Sequence, residues 1–374
     1  MRLHLLPDEK IINRTIDLFE EVYPGENKYI ILLWGNSLTG KFVEKKNDNV
    51  FFLHYGNKSF WKIVGEINDY DSVIIHYLSV LSAKFINRIE HPKIYWIEWG
   101  GDLYNTFLEH KGYKLYENER LISKLIHGNM PYFFYKIYKN FKSRRLIKKM
   151  HPVVKKVKYF VPDSMYNEYP LLLKYYPEFS HLEYKEFFYY PIDEILGPDL
   201  IKKTCEENSI IVGNSCSFTG NHLHVLHKLK ELNVENKIIV PLSYSGNAKY
   251  KDMIIGYGNQ AFGNRFVPVT DFLSLSEYNK LLLSASVFIY GSLRQEAVGN
   301  ILIALYLGGK VFLNSYNPLL EFYKSLGIII FSTDELSLEN LKVSLPTKDI
   351  LNNKHILLEK YSLARLLSLV RTNF

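Results

Sequence analysis

Three stretches of the chain combine glycine with polar side chains in patterns suited to phosphate or hydroxyl chemistry. In the first, Val212-Gly213-Asn214-Ser215-Cys216-Ser217-Phe218-Thr219-Gly220-Asn221-His222, a loop of small hydroxyl residues follows an apolar run and enters a helical pattern. Its backbone N–H groups and the helix dipole form a cradle for a diphosphate, with His222 beside the anion; a plain turn is the alternative. In the second, Tyr290-Gly291-Ser292-Leu293-Arg294-Gln295-Glu296-Ala297-Val298-Gly299-Asn300, a polar loop precedes an apolar helix. Arg294 there either neutralises phosphate bidentately without a metal or makes a surface ion pair. Gln295 and Asn300 belong to the same candidate site, Gly299 would let backbone approach a ligand closely, and Tyr244 and Tyr290 stand at strand ends suited to a base or sugar. The third is Trp96-Ile97-Glu98-Trp99-Gly100-Gly101-Asp102-Leu103-Tyr104. Asp102 is either an N-cap or a carboxylate that serves a substrate hydroxyl, with Glu98 and His76 as rivals on the same sheet edge.

Other patterns lack a needed part. Gly35-Asn36-Ser37-Leu38-Thr39-Gly40-Lys41 has phosphate-loop spacing, but Phe42 stands where a magnesium-ligating Ser or Thr belongs. No strand is followed by Gly-x-Gly-x-x-Gly, so nothing points to a dinucleotide. Asp69-Tyr70-Asp71 precedes a strand, at the edge of a parallel sheet opposite to its ligand side, and reads as a turn. His222, His224 and His227 lack carboxylate or thiolate partners, so no metal or other cofactor is expected.

These loops need strands to hold them, and the pattern supplies strands throughout. Short apolar runs alternate with helical patterns, which indicates α/β architecture with parallel sheets. The first half offers strands at 2–6, 29–34, 50–54, 73–77, 94–99 and 159–162, with 187–191 able to close it. The second offers 210–212, 238–241, 265–267, 287–290, 311–313 and 328–331, and a final helix over 355–370. The expected organisation is an N-terminal Rossmann-like domain over 1–192, a polar linker over 193–208, a second such domain over 209–350 and a C-terminal helix over 351–374. The two domains are expected to face one another across a cleft.

The length of 374 residues suits two domains, and 47% apolar against 23% charged residues excludes wholesale disorder. Two cysteines, Cys205 and Cys216, cannot build a disulfide framework. No apolar run is long enough to span a membrane, and the N-terminal apolar stretch is too short for a secretory signal. The net charge of +7 is uneven: residues 130–161 hold ten Lys and Arg and no Asp or Glu, leaving the remainder at −3. Aromatic residues are interleaved there, and a helix over 131–150 would set them on one side and cations on the other. Lys142, Arg144, Arg145, Lys148 and Lys149 would then dock the protein peripherally on an anionic membrane. The alternatives are a solvated helix packed on its own domain, and a nucleic-acid surface, which no recognisable motif accompanies.

Taken together, Trp99-Gly100-Gly101-Asp102-Leu103-Tyr104, Val212-Gly213-Asn214-Ser215, Val240-Pro241-Leu242-Ser243-Tyr244, Arg294-Gln295 with Gly299, and Asn317-Pro318 resemble one family. It is the TDP-4-acetamido-4,6-dideoxygalactose transferase family of glycosyltransferase group 56, and the likeness spans roughly residues 70–335. The resemblance implies a GT-B fold, a TDP-sugar donor held by the C-terminal half, and a polyprenyl-diphosphate-linked saccharide acceptor at the cytoplasmic face of the inner membrane. Gly101, Asn300 and the spacer after Ser215 depart from the family pattern. Two rival classes remain: a sugar-nucleotide epimerase of the same architecture, and a non-enzymatic membrane scaffold for polysaccharide assembly.

Overall fold

The computed structural model describes residues 1–33, 39–44, 48–54, 57–163, 166–205 and 208–374. Residues 35–38 of the phosphate-loop-like stretch lie outside them. The chain divides into two compact units.

The first unit comprises Met1–Tyr113, Ile137–Tyr189 and Ala364–Phe374. Its seven strands are β1 (Arg2–Leu6), β2 (Asn27–Leu33), β3 (Val50–His54), β4 (Ser72–His76), β5 (Ile94–Glu98), β6 (Tyr159–Pro162) and β7 (Glu183–Tyr184). They form one sheet in the order β3-β2-β1-β4-β5-β6-β7, paired in parallel. Strands covered on both faces read as continuous apolar runs, which is why they were legible. Phe187, expected to open a closing strand, makes one isolated bridge to Asp163 instead.

The second unit comprises Lys114–Lys136 and Tyr190–Leu363. It holds β8 (Ser209–Val212), β9 (Ile238–Pro241), β10 (Phe266–Val269), β11 (Ala285–Tyr290), β12 (Lys310–Leu313) and β13 (Phe331–Ser332), in the parallel order β10-β9-β8-β11-β12-β13. Connections from β8 run one way along the sheet and those from β11 the other. The carboxyl ends of these two strands therefore flank a topological switch point, where open α/β sheets bind ligands.

The units divide the chain differently from a simple cut at 192–193. The helix Glu119–His127 sends Ile122 and Leu125 into the core of the second unit, among Ile210, Val225 and Leu229. The stretch expected as a linker begins with a helix, Ile192–Leu200, bent at Gly197 and burying Ile192, Leu196 and Leu200 in that same unit. The expected C-terminal helix is two, Thr347–Lys360 and Leu363–Asn373. The second returns to the first unit, where Arg365 pairs with both oxygens of Glu186 at 2.7 and 2.9 Å. The Phe374 ring there packs against Phe19, Tyr95 and Phe187.

The basic segment forms the helix Tyr132–Lys156. The expected separation of aromatic from cationic sides does not occur. Phe133, Phe134, Ile137, Tyr138 and Phe141 are exposed, and so are Lys142, Arg144, Arg145, Lys148 and Lys149. Its aromatic residues are confined to the first half, whereas its cations run throughout, six of the nine lying from Arg144 onward. Among the described residues no helix is long and apolar enough to cross a membrane.

All four tryptophans fall within residues 1–113, so tryptophan fluorescence reports on the first unit. Removing the ring in Phe374→Ala is expected to destabilise that unit by about 2 kcal/mol, read as an earlier urea transition in fluorescence. An unchanged transition would show that the C-terminal contact is not stabilising.

Candidate functional site

In the second unit the loops after β8 and β11 are tied together by one carboxylate. Glu296 Oε2 accepts from the Thr219 hydroxyl at 2.7 Å and lies 3.1 Å from the Ser292 hydroxyl. Ser217 in turn lies 2.7 Å from Thr219 Oγ1. Arg294 Nη2 stands 3.6 Å from Glu296 Oε2, with both side chains about 15% exposed or less, so this ion pair is sheltered rather than superficial. Arg294 Nη1 donates to the Gln295 carbonyl at 3.0 Å, whereas Nε is buried with no partner. Two asparagines brace the same loops. Asn221, in the left-handed region at φ +49°, donates to the carbonyls of Thr219 and Gly291, both at 3.0 Å. Asn317 donates to the carbonyls of Ser292 and Arg294.

His222 is fully buried as the first residue of the helix His222–Glu231. Its Nδ1 lies 3.2 Å from the Tyr250 hydroxyl and its Nε2 makes no hydrogen bond, while the nearby Ser215 backbone favours the protonated ring. Nε2 points at Gly213, where a Cβ would lie 2.6 Å away, and the ring edge lies equally close to the Cβ position of Gly220. Gly213 also has φ +72°. Any side chain at 213 would thus be strained and would displace the imidazole. Burial pushes the His222 pKa down to about 4, offset only in part by the Glu296 charge.

The helix Val298–Tyr306 follows the second loop, and like His222–Glu231 it has no side-chain cap. Both therefore keep first-turn N–H groups without intrahelical acceptors. Ala297 precedes the second helix at φ +64°, a conformation that costs a non-glycine residue about 1–3 kcal/mol.

The remaining residues expected in the donor site are dispersed. Ser215 and Gln295 are buried and Asn214 half-buried on the two loops. Tyr290 is buried at the end of β11. Tyr244 follows β9, 54% exposed, and its carbonyl accepts from Cys216 N. Asn300 accepts from the Tyr278 hydroxyl at 2.6 Å. Gly299 offers no special proximity, since a Cβ there would meet Tyr190 at an ordinary 3.5 Å. Sequence reasoning missed Glu296, Thr219 and Asn221 as a bracing set; the Gly220-Asn221 pair was the available signal, being a dipeptide suited to a left-handed turn. His224 is half-buried and His227 is exposed beside Glu231. Among the described residues no cluster of three His, Cys, Asp or Glu side chains is suited to a metal.

In the first unit Asp102, Glu98 and His76 are all fully buried. Asp102 does not cap the helix it begins. Its carboxylate accepts from Leu78 N and Trp96 Nε1, both at 2.7 Å, and from Trp99 N at 2.9 Å, clamping the ends of β4 and β5 together. Burial raises its pKa and these donors oppose that rise. Glu98 Oε1 accepts from Gly100 N, and Oε2 has no partner. Burial, then the neighbouring Glu168 and Asp102 charges, push Glu98 well above the carboxylate range.

His76 lies in a buried chain whose proton order can be derived. Asn27 donates its amide hydrogens to the Phe19 and Tyr23 carbonyls, so its Oδ1 faces His4 Nε2 as an acceptor at 3.3 Å. His4 Nδ1 must then accept from His76 Nε2 at 3.0 Å, and His76 Nδ1 from the Tyr189 hydroxyl at 2.7 Å. Both imidazoles are held neutral by burial. The Lys41-to-Val43 stretch behind the phosphate-loop-like motif is also occupied: the N–H groups of Lys41, Phe42 and Val43 all donate to Asp8.

Replacing Asp102 by Ala orphans three buried donors and is expected to cost on the order of 3 kcal/mol or more, read by tryptophan fluorescence in urea. Full stability would remove its clamping role. His222 binds a proton less readily in the folded unit, near pH 4, than at its ordinary 6.5. Stability of the second unit is therefore full above that window and falls as pH drops from 6.5 towards 4, by about 3 kcal/mol. His222→Gln should flatten this slope in circular dichroism followed against urea, and an unaltered slope would show that another group is responsible.

The Rickettsia africae ESF-5 glycosyltransferase structure is 15% identical, with a TM-score of 0.61 over 100% of this chain and 99% of its own. Anabaena HepE, solved with UDP and glucose, is 11% identical with a TM-score of 0.62, over 98% and 97% of the two chains. Sucrose-phosphate synthase of Thermosynechococcus elongatus is 9% identical with a TM-score of 0.60, over 98% and 96%. At these identities the likeness establishes the GT-B fold. The sequence profile described as 4-alpha-L-fucosyltransferase, glycosyl transferase group 56, matches residues 172–356, a span that contains both tied loops and their bracing asparagines. The chain belongs to glycosyl transferase group 56 and is a glycosyltransferase.

Proposed function

We propose that this glycosyltransferase takes a 4-amino- or 4-acetamido-4,6-dideoxyhexose from a nucleoside-diphosphate donor, TDP-linked by the family resemblance, and passes it to a polyprenyl-diphosphate-linked saccharide. The observation that carries the donor half is at the switch point of the second unit. Two uncapped helix N-termini stand there with one unspent buried donor, Arg294 Nε, and one unpartnered ring nitrogen, His222 Nε2. Oriented donors in a sheltered site stabilise the charge of a departing diphosphate, and they do so without a metal. Anabaena HepE, which shares the fold, was solved with UDP and with UDP-glucose, in keeping with a nucleoside-diphosphate donor.

On the acceptor side, Asp102 and His76 act as positioning residues because their polar atoms are engaged within the unit. Glu98 keeps one unpartnered oxygen and is the remaining candidate to serve the acceptor hydroxyl. The exposed aromatic and cationic helix fits peripheral attachment to the anionic cytoplasmic face of the inner membrane, where a lipid-linked acceptor resides. Nucleic acid has no place in this reading.

A thermal-shift panel of TDP, UDP, GDP and ADP tests the donor site, since a ligand stabilises according to its concentration over its dissociation constant. TDP is expected to stabilise most, and no shift with any nucleotide would overturn the reading. In Arg294→Ala, loss of charged hydrogen bonds worth about 1.5–3 kcal/mol should cut turnover about tenfold or more. Unchanged turnover with an intact fold would remove Arg294 from the site. A new sugar nucleotide formed from donor alone would favour the epimerase class instead.

A further inference from the structure

The carboxyl edge of the first sheet holds a group of polar atoms that no bond consumes. Glu98 ends β5, and Glu168 opens the helix Glu168–Tyr175 that follows the neighbouring strand β6. Tyr104 joins them from Leu103–Leu108, a rare π-helical segment of a kind frequent at functional sites. All three side chains are fully buried. The Glu168 carboxyl faces both Glu98 and the Tyr104 hydroxyl, yet Glu98 Oε2, both Glu168 oxygens and Tyr104 Oη complete no hydrogen bond. Asp102 faces the group from the turn after β5, Asp163 from just past β6, and Tyr113 faces Tyr104. Among the described residues no cation pairs with either glutamate, and no three-ligand metal cluster forms. Two carboxyl groups so enclosed cannot both ionise freely, and a proton is what neutralises them. Burial raises Glu168 to about 8 and holds Glu98 well above the carboxylate range.

We propose that Glu98 and Glu168 form a proton-sharing pair that receives the proton of the acceptor hydroxyl, with Glu98 meeting the hydroxyl and Glu168 as the positioning residue behind it. This rests on the transferase reading and adds the residue that sets when Glu98 is ionised. In the transfer the acceptor oxygen bonds to the anomeric carbon as the bond from that carbon to the diphosphate oxygen breaks. The electron pair of the broken bond leaves with the diphosphate, and the hydroxyl proton passes to ionised Glu98. A general base works best when its pKa lies near the working pH, and a second carboxyl at the same site lifts an acid towards that range. Glu98 is the member that meets the hydroxyl because Gly100 N fixes its Oε1 and leaves Oε2 open. The loop that follows it, Trp99-Gly100-Gly101, is half-buried at Trp99 and Gly101 and carries no side chain at its two glycines.

Glu98→Gln and Glu168→Gln keep side-chain size and remove one ionisation each. Both full-length variants are assayed with a TDP-linked 4-acetamido-4,6-dideoxyhexose and a polyprenyl-diphosphate-linked saccharide from acid to alkaline pH. Turnover of the unaltered protein should rise through the neutral-to-alkaline range as the pair loses its proton, a range that His222, near 4, does not share. In Glu168→Gln the rise should move about one pH unit or more towards acid, because the like charge that keeps Glu98 protonated is gone. A purely structural role for Glu168 would lower turnover without moving the rise. Glu98→Gln should lose turnover about a hundredfold or more at every pH. Infrared spectra read the pair without substrate: the carbonyl stretch of a protonated carboxylic acid should fade in the unaltered protein over the pH range in which turnover rises, and should be missing from the E98Q/E168Q double variant. An unmoved rise in Glu168→Gln, turnover retained in Glu98→Gln, or a carbonyl band that ignores pH would overturn the proposal. Absence of transfer from every donor would overturn the transferase reading and this proposal with it, whereas transfer with an unmoved rise sinks the pair alone.

Discussion

A single carboxylate holds the candidate donor site in shape. Glu296 receives the Thr219 hydroxyl from one loop and lies within reach of Ser292 and Arg294 on the other, so two segments about seventy-five residues apart share one acceptor. Hydrogen bonds to a charged group are worth about 1.5–3 kcal/mol each, more than neutral ones, and the sheltered position preserves that strength. Asn221 and Asn317 add ties to backbone carbonyls of the same loops. With the loops so braced, His222 Nε2 and Arg294 Nε are left without a hydrogen-bond partner.

The first unit spends its buried polar groups in the opposite way. The Asp102 carboxylate is consumed by three donors at the ends of β4 and β5, and Asp8 consumes three backbone N–H groups that a phosphate would otherwise want. The chain from Asn27 through His4 and His76 to Tyr189 satisfies itself internally. Glu98, crowded by Glu168 and kept from ionising by burial, retains an open oxygen, and so do Glu168 itself, Ser72 and Tyr104. The two units thus share a parallel-sheet plan while placing their chemistry differently, fixed donors in one and engaged carboxylates and imidazoles in the other.

Much of this was legible in the residues. The buried parallel strand Ile238–Pro241 is a continuous apolar run, and glycine-flanked loops follow Val212 and Tyr290 at the carboxyl ends of strands. The basic segment 130–161 announced itself by ten cations without an acid. Less legible were the elements whose place depends on a distant partner. Glu119–His127 is amphipathic wherever it packs, and nothing local says that Ile122 and Leu125 complete the core around Ile210. The same holds for Phe374, whose aromatic neighbours come from residues 19, 95 and 187.

By itself, the sequence determined the alternation of strand and helix and the parallel α/β class, and it singled out the loops after Val212 and Tyr290 as candidates. These depend on periodicity and on local turn chemistry, which a short window contains. Tertiary structure alone decided which polar side chains are free. An aspartate after paired glycines reads equally as a cap, a base or a clamp, and only the convergence of Leu78, Trp96 and Trp99 on Asp102 selects the clamp. A hydrogen bond is made once, and whether a group has already made it depends on what the fold brings within three ångströms.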